Sequence, residues 1–430
     1  MTKVGLAIHR TFHSVSHSRN FRLFFGGQVV SVTGTWMQSV ASALLVYKLT
    51  GSGVALGVQG ALNFGPLLVF GVWGGLLADR RDKRRILVVT QSAFALLAFA
   101  LWGLVATGVV RLWMVYALSF VQGLVTAADN PARQSFYAEM VGQGDLTNAV
   151  SLNSAVMTST RIVGPALAGL FADTIGLGPC FLINGISYLA VIGALVAMRP
   201  GELHRTAGPE ARKGQLREGF AYVWRTPGLR LPLLWMAAIF TFSYNFSVLF
   251  LVLARGPFHG SDGTYGLLLS VMGVGSLAGA LVMARQQRPS PRGLAFAAVG
   301  FGVVSMAVAV VPTLWFELVV LVPCGLASAV FMITGNSTLQ LTSRPEMRGR
   351  VMALYGIVFL GGTPFGAPIA GWVADHFGPR IGIALGGVVA IVIGLVAMYT
   401  LMRRRLRELL PAAAAPTSAA PDEPAVRSAV

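Results

Sequence analysis

Residues 74 to 85 read Gly-Gly-Leu-Leu-Ala-Asp-Arg-Arg-Asp-Lys-Arg-Arg, and within them Gly75, Asp79, Arg80, Lys83, Arg84 and Arg85 form a charged constellation between two apolar stretches. A carboxylate at the end of one helix can accept hydrogen bonds from the free amides that open another, and oppose its positive dipole end, while neighbouring arginines share the charge. That chemistry is a latch. The competing reading is that the cluster only fixes orientation in a membrane.

Arg161 interrupts an apolar run, where a charge costs about 2.5 kcal/mol or more, so it must face a bundle interior or water. It is read either as an anion-binding residue for a substrate, as the partner of a titrating carboxylate, or as half of a structural ion pair with Asp129. Glu317 follows Trp315 and Phe316; it either titrates or sits at the outer interface within an aromatic belt. Just after Arg161, Gly164, Pro165, Ala168 and Gly169 would let helices approach closely, with Pro165 bending its helix. Asp173 and Asp375 are expected to cap turns.

Polar side chains scattered through apolar segments, namely Gln38, Gln59, Asn63, Gln122, Asn153, Tyr244, Asn245, Asn336 and Gln340 with Phe242 and Phe246 nearby, would suit a cavity for a bulky amphipathic molecule. Each could equally bond across helices. Catalysis is not indicated, because the six histidines, His9, His13, His17, His204, His259 and His376, lie in tails and loops, away from any cysteine or carboxylate cluster. Neither a cofactor nor a metal is expected. A G-x-x-x-x-G-K-[ST] phosphate loop is also absent, so an ATP-driven pump is excluded.

The elements that must position these residues are apolar helices. With 55% hydrophobic and 11% charged residues, the chain is built for lipid as solvent. About twelve stretches reach the roughly 20 residues a span needs: near 22 to 48, 54 to 78, 86 to 107, 112 to 129, 147 to 172, 177 to 198, 231 to 254, 264 to 284, 293 to 312, 314 to 336, 350 to 373 and 380 to 402. A repeat of about 202 residues relates Gly164, Ala168, Gly169, Ala172, Asp173 and Gly176 to Gly366, Ala370, Gly371, Ala374, Asp375 and Gly378. Two related halves embedded in lipid place a pathway at their interface. The domains expected are a cytoplasmic segment 1–21, a six-helix bundle 22–198, a connector 199–230, a second six-helix bundle 231–402 and a tail 403–430.

Lys and Arg alternate between loops. One side holds Lys3, Arg10, Arg19, Arg22, the Arg80 to Arg85 cluster, Arg133, the connector, Arg285, Arg288, Arg292, Arg344, Arg348, Arg350 and the Arg403 to Arg407 tail. The other holds little beyond Lys48, Arg111, Arg255 and Arg380. The termini and connector are therefore expected in the cytoplasm. The net charge of +17 follows from this asymmetry and from attraction to anionic lipid headgroups, so no nucleic-acid partner is expected. Ala41-Ser42-Ala43 resembles a cleavage site but lies inside the first apolar run, so an uncleaved first span is expected. Cys180 and Cys324 lack metal-ligand spacing and read as packing residues. Gly214 to Arg225 could form a surface amphipathic helix presenting Leu216, Phe220, Tyr222, Val223 and Trp224, and the Ala- and Pro-rich tail after Pro411 is expected to be disordered.

The 74–85 segment resembles the major facilitator signature G-x-x-x-D-[RK]-x-G-[RK]-[RK], with Asp82 where that pattern has glycine. The resemblance implies that Asp79 meets the start of the eleventh span near Gly349 to Met352 and holds the inside closed. Gly164, Pro165, Ala168 and Gly169 resemble the superfamily's antiporter motif G-P-x-x-G-G, which the family associates with efflux. Asp129-Asn130-Pro131-Ala132-Arg133-Gln134, Glu139-Met140-Val141 and Leu146-Thr147-Asn148-Ala149 resemble the branch of enterobactin exporters and macrolide efflux proteins, over about Asn20 to Arg403. Ser119 stands where many proton-coupled drug exporters have arginine, so their proton relay does not carry over. The resemblance implies an all-α integral membrane protein of twelve helices in two pseudo-symmetric bundles. It would export a siderophore or antibiotic-like molecule from the bacterial inner membrane, driven by protons, as a monomer. An importer of the same fold, or a non-transporting sensor, is the alternative.

Overall fold

The computed structural model describes residues 13–204, 215–285 and 289–409. Twelve helices are long and apolar enough to cross a membrane: α1 (Arg19–Thr50), α2 (Gly53–Arg80), α3 (Lys83–Ala106), α4 (Leu112–Gly142), α5 (Gly144–Thr174), α6 (Gly178–Ala197), α7 (Pro227–Arg255), α8 (Asp262–Arg285), α9 (Pro291–Val310), α10 (Leu314–Thr342), α11 (Arg348–Phe377) and α12 (Pro379–Leu409). Among the described residues there is no strand, because lipid offers no partner for an open backbone edge. An even number of crossings brings both chain ends to one face, called here the terminus face.

Local chemistry sets the helix ends. Ser18, Ser52 and Asp82 are N-caps, accepting from the amides of Phe21, Ala55 and Arg85 at 3.1, 3.3 and 3.1 Å, which satisfies otherwise orphaned donors. Asp82, the departure from the family loop, thus starts α3. Gly142, at φ 72°, separates α4 from α5, a conformation that favours glycine. Helix α7 is broken at Tyr244 and Asn245 into Pro227–Ser243 and Phe246–Arg255.

The halves repeat one another in packing as in sequence. Gly164 of α5 lies on Trp36 and Met37 of α1, and Gly366 of α11 lies on Thr241 of α7. Gly123 of α4 meets Asn63 of α2, while Gly325 of α10 meets Met272 of α8. Gly185 of α6 sits on Phe99 of α3, and Gly302 of α9 on Gly387 of α12. These small residues carry packing that lipid, being as apolar as leucine, does not otherwise drive. The second half has an aromatic core in which Phe240, Tyr244, Phe301 and Phe331 lie with ring centroids 5.0 to 6.4 Å apart. Across the halves, α2 packs on α11 and α5 on α8.

Some expectations need correction. The fourth span does not end at residue 129 but continues to Gly142, since its polar residues are paired: Arg133 with Asp129, and Glu139 with Lys83 of α3 at 2.6 Å. The first helix begins at Arg19, and a short helix His13–His17 precedes it, with His13 bonded to Asp145 at 3.1 Å. The connector helix spans Gln215–Arg225. Its Val223 points into the protein rather than to the surface, Tyr222 accepts from the Arg344 amide at 3.2 Å, and Phe220 and Trp224 stack on each other and stay exposed. Leu216's side chain and the tail after Pro411 lie outside the described residues.

Candidate functional site

The face opposite the termini is closed by two carboxylates that reach across the halves. Asp375, at the end of α11, accepts from the Gly53 amide at 2.6 Å, the Val54 amide at 3.0 Å and the Ser52 hydroxyl at 2.6 Å, all at the start of α2. Asp173, at the end of α5, accepts from the Gly263 amide at 3.0 Å and the Ser261 hydroxyl at 2.6 Å, at the start of α8. Each carboxylate meets the positive end of a helix belonging to the other half. Asp173 and Asp375, expected to cap turns, cap the helix starts of the opposite half and so clamp the two halves together. Lys48 of the first half adds an ion pair to Asp262 of α8 at 2.5 Å, and Arg255 also bonds Asp262.

Below the clamps the helices touch backbone to backbone. A methyl group on Gly57 would overlap the Ala367 carbonyl, one on Gly371 the Gly53 carbonyl, and one on Gly266 the Pro165 carbonyl. The antiporter-like Gly164, Pro165, Ala168 and Gly169 therefore lie on both sides of α5: Gly164 against α1, Ala168 buried, and Pro165 and Gly169 against α8. The Ser270 hydroxyl donates to the Ile162 carbonyl at 2.8 Å in the same seam.

On the terminus face the arrangement is reversed. Asp79 is exposed, and among the described residues it accepts no hydrogen bond and forms no ion pair. The start of α11 is instead held by the connector helix, through Glu218 to Arg350 at 2.7 Å. Gly75 and Gly349 have nothing against them, and a cleft of about 350 Å³ opens between α2 and α11, lined by Leu67, Leu68, Gly71, Val72, Gly75, Ala353, Gly356, Ile357 and Leu360. Of the other latch residues, Arg80 is exposed, Lys83 pairs with Glu139 at 2.6 Å, and Arg84 donates to the carbonyls of Leu195 and Val196 at 2.6 and 3.0 Å. Arg85 contributes its amide to the Asp82 cap. The expected contact between Asp79 and Gly349 to Met352 is not made in this state.

The intramembrane charges fall into three environments. Asp129, 4% exposed, is held by Arg133 at 2.7 Å, the Thr90 hydroxyl at 2.6 Å and the Gln91 amide at 2.9 Å, and Arg133 also reaches Gln28. This corrects the pairing of Asp129 with Arg161. Arg161 is exposed and, among the described residues, has no carboxylate partner; its guanidinium carbon lies 5.1 Å from the centre of the Trp36 ring. Glu317 is completely buried, with neither carboxylate oxygen hydrogen-bonded, whereas Trp315 and Phe316 are 79% and 65% exposed. Its side chain therefore turns into the second half from the first turn of α10, while those of Trp315 and Phe316 stay outside.

The candidate cavity residues separate as well. Gln38 is buried and accepts from Asn184 at 2.7 Å; Tyr244 donates to the Ser328 carbonyl at 2.7 Å; Asn245 donates to the Thr241 carbonyl at 2.7 Å. The first two tie helices together within one half, and the third stays within α7. Asn153 accepts from Tyr137 at 2.7 Å, and Asn336 accepts from Gln340 at 2.7 Å. Gln59 is buried, and Asn63 and Gln122 are half-buried. Sequence reasoning missed the clamps, although a signal was present: the pentapeptide Gly-x-x-Ala-Asp ends α2 at Asp79, α5 at Asp173 and α11 at Asp375. Among the described residues no group of three or more metal-ligating side chains could hold an ion.

Two six-helix halves, clamped at one face and parted at the other, form the architecture of a membrane transporter. Residues 12–430 match the family of transmembrane secretion effectors, and the chain belongs to that family of the major facilitator superfamily, whose members are membrane transporters rather than enzymes. Relatives include macrolide efflux protein A of Streptococcus pyogenes, 25% identical over 87% of this chain and 94% of the relative, and the staphyloferrin A transporter of Staphylococcus aureus, 23% identical over 90% and 97%. The multidrug efflux pump Tap of Mycolicibacterium fortuitum is 27% identical over 87% and 93%. Among solved structures, the nucleoside transporter NupG superposes with a TM-score of 0.71 at 13% identity, covering 89% of this chain and 99% of that one. A bacterial homologue of the human lysosomal transporter Spinster, in an inward-facing unoccupied conformation, gives 0.68 at 16%, covering 93% and 99%. The chain is thus a multi-pass transporter of the efflux and secretion type.

Proposed function

We propose that the chain exports a small amphipathic molecule, an antibiotic-like compound or a siderophore, from the bacterial cytoplasm across the inner membrane, in exchange for protons. The observation that carries this reading is the opposition of the gates: Asp173 and Asp375 are engaged while Asp79 is idle and the α2–α11 cleft is open. With the basic terminus face in the cytoplasm, as loop charge argues, this is the state that loads from inside. The rocking units are residues 22–198 and 231–402, and a single chain suffices. Drug and siderophore exporters among the relatives support the substrate class. Proton exchange is supported by Glu317, because a bare buried carboxylate is costly unless a proton or partner neutralises it.

The test is accumulation of a panel of fluorescent amphipathic compounds in cells expressing the wild type or Asp79→Asn, with and without a protonophore. Lower accumulation that needs both Asp79 and the proton gradient is the expected result. Higher accumulation in wild-type cells would refute export and favour uptake.

A further inference from the structure

Among the described residues Arg161 has no ionic partner, unlike Asp129 and Glu139, and it is exposed, unlike Glu317. Its position on α5 is the seam between halves: its own carbonyl lies against Gly273 of α8, while its side chain stacks on Trp36 of α1. Arg161, exposed and without an anionic partner among the described residues, therefore stands on the helix face where the two halves meet. Asp129 is committed to Arg133, Asp262 to Lys48 and Arg255, and Asp173 to the start of α8 beyond the far end of α5, while Glu317 is enclosed in the first turn of α10 with neither oxygen bonded. Arginine retains its charge in any protein setting, and its planar fork matches a carboxylate. An unpaired charge at membrane depth is expensive, and the expense persists only where water or a ligand meets it. Trp36 adds a flat apolar face that would lie against an unsaturated ring.

We propose that Arg161 and Trp36 form the substrate's anchoring site, and that the substrate is an organic anion whose carboxylate or phenolate pairs with Arg161 while its flat apolar part lies on Trp36. This rests on the export reading above and narrows it, favouring acidic amphiphiles over cationic drugs. Because α5 packs on α8 of the other half at Arg161 itself, an anion bound there sits at the seam between the two bodies that must rock.

The test compares two dyes built on one xanthene ring, 5-carboxyfluorescein as the anion and rhodamine 123 as the cation. Their movement is followed in proteoliposomes containing the full chain under an imposed pH gradient, for wild type, Arg161→Lys, Arg161→Gln, Arg161→Glu and Asp79→Asn. The expected result is faster movement of the anion in wild type, a loss of about tenfold or more in Arg161→Gln, corresponding to about 1.4 kcal/mol of binding, partial retention in Arg161→Lys, and a preference turned toward the cation in Arg161→Glu. An unchanged dye ratio in Arg161→Gln, or equal loss of both dyes in all three Arg161 variants, would overturn the assignment by marking the residue as structural. Asp79-dependent movement of the cation alone would overturn the anion site and leave export standing. No Asp79-dependent movement of either dye would overturn both.

Discussion

Removing the charge of Asp375 should release the closed face. Its two oxygens accept three hydrogen bonds from the start of α2, at 2.6, 2.6 and 3.0 Å. Asparagine keeps one acceptor oxygen and loses the charge. Bonds to a charged acceptor are worth about 1.5 to 3 kcal/mol each when shielded, and the helix end adds about 0.3 to 1. Asp375 is exposed and Ser52 half-buried, so solvent screening reduces the loss to about 1 to 2 kcal/mol. At 1.4 kcal/mol per factor of ten, Asp375→Asn should move the equilibrium between this state and its outward-open counterpart by roughly 5- to 30-fold. Combined with Asp173→Asn, the clamps being at separate helix pairs, the shift should approach the product of the two. The assay is pulsed electron paramagnetic resonance between spin labels at Val109 and Val310, both exposed near the clamped face, in a background lacking Cys180 and Cys324. A longer-distance population should grow with each substitution. An unchanged distance distribution in the double variant would refute the assignment of these carboxylates as gates.

Other outcomes follow from the same contacts. Arg133→Gln leaves Asp129 buried with its charge uncompensated and should cost about 3 to 5 kcal/mol, read as a lower melting temperature in detergent; adding Asp129→Asn should restore a large part of it. Gly57→Val forces a side chain onto the Ala367 carbonyl and the Pro368 backbone, at about 1 to 3 kcal/mol, read as a lower melting temperature in detergent than that of the wild type. Glu317→Gln should fold normally and retain substrate exchange across proteoliposomes, while losing its response to an imposed pH gradient; a full response would remove Glu317 from proton coupling.

The helices were legible because composition and length decide them in lipid, and all twelve stretches read from sequence correspond to observed helices. The extension of α4 was hidden because Asp129, Arg133 and Glu139 look like a loop until their partners on α1 and α3, Gln28, Thr90 and Lys83, are in place. Lateral orientation was equally hidden. In helices apolar on all sides, nothing in the spacing of Gln38, Tyr244 or Asn245 says whether they face a pathway or a neighbour; Gln38 and Tyr244 bond to neighbouring helices, and Asn245 lies against Gly366 of α11. Asp173 and Asp375 were legible as helix ends, but the helix start each would meet lies in the other half, about 90 and 320 residues away in sequence. Arg161 was flagged by cost alone, and its setting beside Trp36 needed the fold.

The crossing of α2 over α11 at Gly57 and Ala367 acts as a lever with a short load arm. With backbone resting on backbone there, few side chains interlock, and little has to be repacked when one helix tilts over the other. From Gly57 to Asp79 runs roughly 33 Å of helix at 1.5 Å per residue. A tilt of about 10° at the crossing therefore displaces the far end by roughly 6 Å, twice the length of a hydrogen bond. A tilt of that size would carry Asp79 toward α11, and stiffness in the long arms would make the carrier more decisive rather than slower.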